Sequence, residues 1–267
     1  MSIVGTVLVT GASGPLGAAL LRQLLERGVP ARGMARGARP ADLAVDWARA
    51  DLLSGDGLDR ALQGVGTVVH CASNPRSRQD DLLAVDQLLA ALKKTGQARL
   101  LYVSIAGIDL AAAALPYYAI KLEVERRIAA SDLPHAIVRV AQFHPFVALI
   151  LSKLDLRLAV IAPSRIVLQP VSLEFAAERL AAHASSGAVG RLPDVHGPEP
   201  LDFRELATQW VRARGRRTPV LQLPLPVPPF SALARLLEAN GEAGGQRWSD
   251  WLTSHSLSSN PYLQRGT

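Results

Sequence analysis

The sequence predicts an α/β protein: a doubly wound parallel sheet with helices on both faces, followed by a small C-terminal lobe. Three observations carry this expectation. An apolar run, Val7-Leu8-Val9-Thr10, breaks into Gly11, Gly14 and Gly17, and a helical pattern starts at once. Strand-length apolar runs then alternate with helix-length amphipathic segments as far as about Val140. The chain's 267 residues, 49% hydrophobic and 19% charged, suffice to bury a full core and do not have the composition of a disordered chain.

Val7 to Thr10 is the first strand, and the helix after it runs from about Pro15 to Arg27, where Gly28 ends it. Pro15 suits the first helical position because its missing N–H is one the helix cannot use. Ala31 to Arg36 reads as the second strand, Val45 to Ala50 as a short third, and Gly57 to Leu62 as a short helix. Thr67 to Ala72 is the fourth strand, Gln79 to Thr95 a helix stopped by Gly96, and Leu100 to Ser104 the fifth strand. A helix over Pro116 to Ser131 and a sixth strand over Ala136 to Val140 complete the alternation. Such alternation forces parallel pairing with right-handed crossovers, which is the Rossmann-like arrangement. Beyond about Gln142 the rhythm loosens, with helices expected at Leu173 to Ser185 and Phe203 to Arg214. A stiff Pro-rich connection, Leu223 to Pro229, then leads into a helix near Phe230 to Ala239. We therefore expect one domain over 1–267, with a core of about 1–142 and a C-terminal part of about 143–267.

Composition narrows the function classes. A single cysteine, Cys71, excludes an intrachain disulfide framework and a Cys-rich zinc site, and reads as a small buried hydrophobe. Met1 to Gly5 carries no charged leader, so no signal peptide is expected. No window reaches the roughly eighteen apolar residues of a membrane span, and the apolar stretch Phe143 to Leu151 is too short. The expectation is a cytoplasmic protein with no membrane partner. A net charge of +6 and a pI of about 10.0 hint at nucleic acid. The basic residues are scattered, however, and the one dense cluster, Arg212, Arg214, Arg216 and Arg217, reads as a solvated helix end. No nucleic-acid partner is expected.

The glycine turn is the sequence form of a phosphate cradle. Glycine allows close backbone approach, and the unpaired N–H groups opening the helix face an anion. Its spacing is G-x-x-G-x-x-G, and the Gly-Lys-Ser/Thr ending of a P-loop is absent. In a doubly wound fold a dinucleotide lies across the carboxyl ends of the strands. The end of the second strand then selects between NAD, held by an acid at the ribose 2′-OH, and NADP, held by an arginine at the 2′-phosphate. Here the segment Arg32 to Arg39 has no acid before Asp42, so NADP(H) is favoured, with Arg36 as phosphate partner and Arg39 as a weaker second. Asp51-Leu52 is placed to reach the adenine, with a plain helix cap as the competing account. Ala72-Ser73-Asn74 supplies small residues where backbone passes the cofactor.

The fifth strand ends in Ser104, and Tyr117 and Lys121 stand four apart on the helix that follows, so both emerge on one face. A lysine ammonium beside a phenol favours the phenolate, which suits the phenol to pass a proton to or from a carbonyl oxygen. Serine at the strand end can hold that oxygen. Tyr118 is the alternative phenol, less well matched to the four-residue spacing, and Ala111 to Ala114 carries no signal.

Together these residues resemble the short-chain dehydrogenase/reductase superfamily. The segments Thr10 to Gly17, Tyr102 to Asp109, Tyr117 to Lys121, Leu133-Pro134 and Val138 to Phe143 are similar to its atypical NAD(P)H-binding, NmrA-like branch. The resemblance covers residues 1 to 150 well and the remainder in outline. It implies that Gly11, Ser13, Gly14, Pro15, Leu16 and Gly17 line the pyrophosphate and Arg36 the 2′-phosphate. It further implies that Ser104, Tyr117 and Lys121 form the catalytic site, and that the Gln142-Phe143-His144 loop lies beside the nicotinamide. Some members of the branch are redox sensors that lack the Tyr and Lys, and this chain has both. The loop after Ser104 is shorter than in the common reductases.

The leading expectation is an NADPH-dependent reductase, or dehydrogenase in reverse, acting on a carbonyl or similarly polarised group of a small molecule. Phe143, Phe146, Val147, Leu151 and Leu154 supply either an apolar substrate wall or core packing, and His144 is either a substrate contact or a structural histidine. Two other classes stay open: a non-catalytic NADP-binding regulator of a protein partner, and a cofactor-assisted isomerase, epimerase or cyclase. Both a monomer and a homodimer fit the sequence.

Overall fold

The computed structural model describes residues 5–74, 77–96, 98–113, 115–224, 241–255, 260 and 262. The expected helix near Phe230 to Ala239 and residues 225–229 of the Pro-rich run lie outside the described residues. The chain forms two compact units that are not consecutive lengths of sequence. One comprises Met1–Ser104, Pro116–Arg139 and Ala176–Pro193, the other Ile105–Leu115, Val140–Phe175 and Asp194–Thr267.

In the first unit the elements run β1 (Thr6–Thr10), α1 (Pro15–Glu26), β2 (Ala31–Ala35), β3 (Asp46–Arg49), α2 (Leu58–Ala61), β4 (Val65–His70), α3 (Arg78–Thr95), β5 (Arg99–Ile105), α5 (Pro116–Ala129) and β6 (His135–Val140). A four-residue helix, α4 (Ile108–Ala111), precedes α5 and belongs to the second unit. The strand order is β3-β2-β1-β4-β5-β6, and the β2–β3, β1–β2, β1–β4 and β4–β5 pairings are all parallel. Strand order thus reverses between β1 and β4, and their carboxyl ends, Thr10 and His70, lie in register. Val7, Leu8 and Val9 are fully buried, as the uninterrupted apolar run demands of a strand covered on both faces. Helix α1 turns Gly17, Leu20, Leu21 and Leu24 inward. Gly96 closes α3 in the left-handed region (φ +67°), a backbone conformation that strains most L side chains and that glycine adopts freely.

Two buried arginines tie this unit together. Arg139 on β6 donates to both carboxylate oxygens of Glu125 on α5, at 3.0 and 2.8 Å. Arg99 opens β5 and donates to the carbonyls of His183 (2.8 Å), Ala184 (3.2 Å) and Ala188, neutralising the C-terminal end of α7 (Leu173–Ser186). After α7, β9 (Gly190–Arg191) pairs in parallel with β6.

The second unit holds what the sequence left loose. Its further elements are α6 (His144–Lys153), β7 (Val160–Pro163), β8 (Val167–Leu168), β10 (Asp194–His196), β11 (Leu201–Asp202), α8 (Phe203–Ala213), β12 (Val220–Leu223), β13 (Gly241–Ala243) and α9 (Trp248–Ser254). Val195 of β10 pairs with Val140, and β10 pairs in parallel with β13. The side chain of Asp202 caps α8 by accepting from the Glu205 N–H at 2.7 Å. Trp210, Trp248 and Trp251 are buried in this unit.

Several expectations are corrected here. The segment after Ser104 is helical at α4 rather than a plain loop. The apolar stretch near Phe143 is the helix α6, and Val147 and Leu151 on it are fully buried, which favours core packing, one of the two expected roles, for these two residues. The arginine cluster is not simply solvated. Arg216 binds Asp155 and the Arg157 carbonyl, while the Arg214 guanidinium sits 3.7 Å from the Trp210 ring centroid. No helix among the described residues is long and apolar enough to cross a membrane.

Candidate functional site

The glycine turn joins β1 to α1 by close packing of backbone on backbone. Gly11 takes φ +64°, and a Cβ there would lie 2.8 Å from the Ala72 backbone just past β4. At Gly17 a Cβ would lie 2.4 Å from the Gly11 carbonyl oxygen. The turn is closed by the Gly14 N–H donating to the Gly11 carbonyl at 2.8 Å. Gly14 is the N-cap of α1 and offers no side chain to the helix, and Pro15 follows. The N–H groups of Leu16 and Gly17 in the first turn therefore have no carbonyl partner within the helix. Ser13 is exposed beside them.

Arg36 stands one residue past β2 with its side chain exposed, and among the described residues its guanidinium makes no hydrogen bond or ion pair. Its backbone is tied across to β3, since the Arg49 Nε donates to the Arg36 carbonyl at 3.4 Å. The Trp47 Nε1 donates to the Gly37 carbonyl at 3.0 Å. Arg39 instead donates to the Leu43 carbonyl within its own loop. Arg32 is engaged with Asp46 and with the carbonyls of Ala61 and Gln63. Asp51 is not a helix cap: α2 begins at Leu58 with Gly57 as its N-cap, and the Asp51 carboxylate instead accepts from the Leu53 N–H at 2.8 Å in a turn. Leu52 packs on the edge of the core.

Ser104, Tyr117 and Lys121 lie on β5 and α5 as the pattern predicts. Lys121 is 5% exposed and donates to the Val103 carbonyl at 3.0 Å, with its ammonium 4.4 Å from the Tyr102 ring centroid. Burial pushes its pKa down to about 8, against the opposing pull of Asp81, Cys71 and Glu125. The ammonium is thus still protonated at neutral pH. The Ser104 hydroxyl is buried and has no hydrogen-bond partner among the described residues. Burial raises the Tyr102 phenol well above its usual range, aided by Asp81, Tyr117 and Glu125, which leaves it a neutral wall. Cys71 is pushed up to about 12 by burial, so it is an inert thiol.

The Tyr117 hydroxyl lies 2.6 Å from the Ser73 hydroxyl, 44 residues away in sequence. Ser73 in turn donates to the Asp81 carboxylate at 2.8 Å. This contact brings an expected catalytic residue and an expected cofactor residue together one position beyond Ala72. Thr10 lies below them, 2.8 Å from the His70 Nδ1, and its hydroxyl accepts from the Ala72 N–H at 3.3 Å. His70 is buried and stacks on Tyr102, and burial holds its pKa at about 3, helped by the nearby Lys121 charge. Sequence reasoning missed Thr10, His70 and Asp81 as members of this cluster. Asp81 reads there as an ordinary first-turn acid of α3, and nothing local announces its partner.

Phe143 belongs to the second unit, where it is the N-cap of α6 and bridges to Val171. His144 beside it is fully buried, with Nε2 3.0 Å from the Pro170 carbonyl and its ring 5.6 Å from both Trp248 and Trp251. It is a structural histidine.

Residues 11–145 match a family described as NAD(P)H-binding, which is half of the chain and contains the glycine turn, the Ser73 loop and α5. The chain belongs to this NAD(P)H-binding family. Among curated relatives, a (4-alkanoyl-5-oxo-2,5-dihydrofuran-3-yl)methyl phosphate reductase of Streptomyces griseus is 30% identical over 220 residues, covering 79% of this chain and 74% of the relative. Two further relatives match only in part, over 31% and 37% of their own length, so the chain spans about a third of each. Among solved structures, a nucleoside-diphosphate-sugar epimerase of Staphylococcus aureus superposes with a TM-score of 0.77 at 18% identity, covering 93% of this chain and 99% of that one. A triphenylmethane reductase of Citrobacter sp. complexed with NADP(H) gives 0.71 at 19% identity, covering 97% and 99%. These likenesses establish a Rossmann-like α/β fold with a mostly parallel sheet for this NAD(P)H-binding protein.

Proposed function

We propose that this chain is an NADP(H)-dependent oxidoreductase that reduces a carbonyl or similarly polarised group of a small organic molecule. The observation that carries the reading is the Tyr117–Ser73 contact at 2.6 Å. It sets a phenol at the strand-order reversal, one residue from the Ala72 backbone on which Gly11 packs. In doubly wound folds that crevice is where dinucleotides cross. The reductase named among the 30%-identical relatives supports the same class.

The residues present fit the cofactor. A twelve-residue helix opens on an uncapped glycine, which suits a pyrophosphate, and one residue past β2 stands Arg36, whose guanidinium has no partner among the described residues, which suits a 2′-phosphate. Gly11, Ser13, Gly14, Pro15, Leu16 and Gly17 would hold the pyrophosphate, with Asp51 and Leu52 at the adenine and Ala72 and Ser73 along the nicotinamide side. When bound, the dinucleotide supplies the hydride. Tyr117 gives its hydroxyl proton to the substrate oxygen, and the buried Lys121 ammonium favours the phenolate left behind. The Ser104 hydroxyl, buried without a partner among the described residues, orients that oxygen.

Titration of NADPH and NADH into wild type and Arg36→Ala tests the cofactor assignment, with NADPH oxidation followed against a panel of ketones, quinones and enones. We expect about a tenfold or larger loss of NADPH affinity in the variant, the scale of one charge-assisted phosphate contact, with NADH unchanged. An unchanged preference for NADPH would remove Arg36 from the site.

A further inference from the structure

We propose that Ser73 and Asp81 are positioning residues for Tyr117, holding the phenol as a proton donor through a two-bond chain that ends on a buried carboxylate. The proposal rests on the reading of Tyr117 as the proton donor. The Tyr117 hydroxyl is 2.6 Å from the Ser73 oxygen, and the Ser73 hydroxyl donates to the Asp81 Oδ2 at 2.8 Å. The other Asp81 oxygen accepts from the Asn74 N–H at 2.6 Å, and Asp81 is 7% exposed. Asn74 and Ser77 both donate to the neighbouring Asp80, at 2.9 and 2.6 Å, contacts in which Ser73 takes no part.

The direction of the chain follows from counting hydrogens. A hydroxyl has one hydrogen to give, and an ionised carboxylate only accepts. With its hydrogen on Asp81, Ser73 presents a lone pair to Tyr117, so the phenol is the donor of that contact. A phenolate at Tyr117 could recruit the Ser73 hydrogen only by taking it from Asp81. Asp81 therefore opposes ionisation of the phenol while Lys121 favours it. As the donor of the Ser73 contact Tyr117 carries its proton, which is the form that reduction of a carbonyl requires and the reverse reaction does not. Titratable groups that act on one another in this neighbourhood include His70 at the end of β4, Cys71 just past it, Asp81 on α3, Tyr102 on β5, and Tyr117, Lys121 and Glu125 on α5, with the Tyr118 ring edge-on to Tyr117. Asp81 is linked to Tyr117 through the Ser73 hydroxyl.

The test needs no substrate. Phenolate absorbance is titrated in the full chain and in Tyr117→Phe, and the difference isolates Tyr117. The titration is repeated with Asp81→Asn, which keeps an oxygen for the Asn74 N–H, and with Ser73→Ala and Ser73→Thr, each against its own Tyr117→Phe double variant. We expect Asp81→Asn to move the Tyr117 titration down by about one pH unit, the lower end of what a nearby like charge imposes on an acid. Ser73→Ala should move it in the same direction, and Ser73→Thr, which keeps the hydroxyl, should leave it in place. In turnover, the loss of NADPH oxidation on the alkaline side should move down with the titration in Asp81→Asn. A Tyr117 titration unmoved in Asp81→Asn would overturn the proposal. So would one that moves in Asp81→Asn but not in Ser73→Ala, since the carboxylate would then act across space without the serine. Failure of the proton-donor reading looks different: Tyr117→Phe would turn over as wild type, whatever the titrations show.

Discussion

Substituting Gly17 with alanine perturbs the phosphate cradle at one defined place. The new Cβ would meet the Gly11 carbonyl oxygen at 2.4 Å and the Ala12 Cα at 2.9 Å, where ordinary contact begins at 3.4 Å. The shortfalls are 3.4 − 2.4 = 1.0 Å and 3.4 − 2.9 = 0.5 Å, both against backbone that cannot rotate away. Helix α1 must therefore back off from the end of β1. Overpacking of this kind costs about 1–3 kcal/mol, and the better helix propensity of alanine returns up to about 1. A net loss of about 1–2 kcal/mol, mid-range for these terms, corresponds to a Tm lowered by roughly 2–8 °C in a protein of this size. The displaced N–H groups should weaken NADPH binding about tenfold or more, since tenfold is only about 1.4 kcal/mol. Gly28→Ala is the matched control, because Gly28 has φ +66° with nothing within 4 Å of a Cβ. Its left-handed strain costs about 1–2 kcal/mol with no effect on α1's opening turn. Thermal melting and NADPH fluorescence titration of both variants should show similar stability losses and an affinity loss in Gly17→Ala alone. Equal NADPH affinity in the two variants would refute the claim that the ligand docks on the start of α1.

Glu125→Gln removes the carboxylate charge that faces the buried Arg139 guanidinium and should lower stability by about 3–5 kcal/mol in urea unfolding, whereas a surface pair such as Arg127–Asp86 should contribute under about 1. Acid should also unfold the protein early. His70 and His144 are buried neutral, held at about 3 and about 4, against 6.5 when unfolded. Between pH 6.5 and those values the unfolded chain binds protons that the folded chain refuses, so stability falls as pH drops through that window. At pH 5 the loss is about 2 kcal/mol for each, and urea midpoints at pH 7 and pH 5 should show a smaller decline for His144→Phe than for wild type.

Much of the first unit was legible in the sequence, because its strands are long enough to carry apolar runs and its helices long enough to show a period. The Gly11–Gly17 turn, β1 to β6 and the placement of Tyr117 and Lys121 on one helix followed from local chemistry alone. Strands of two or three residues, such as Val167–Leu168 and Gly190–Arg191, carry no period and could not be read. Ala111, the last residue of α4, gave no signal because alanine favours a helix without marking a face. The largest gaps are meetings across long sequence distances. Ser73 finds Tyr117 44 residues on, and Arg216 finds Asp155 61 residues back, and neither residue's neighbours point there. His144 was ambiguous for the same reason: its two tryptophan neighbours lie over a hundred residues downstream.

The central claim is that a dinucleotide-binding fold here performs a redox reaction through Tyr117. It is tested most directly by comparing wild type and Tyr117→Phe for NADPH binding and for NADPH oxidation on the carbonyl panel. The account predicts equal binding, stoichiometric NADPH consumption by wild type, and a rate about a hundredfold or more lower in the variant, the scale of one proton donor. Equal rates in the two proteins, or product formed by wild type without net NADPH consumption, would contradict it.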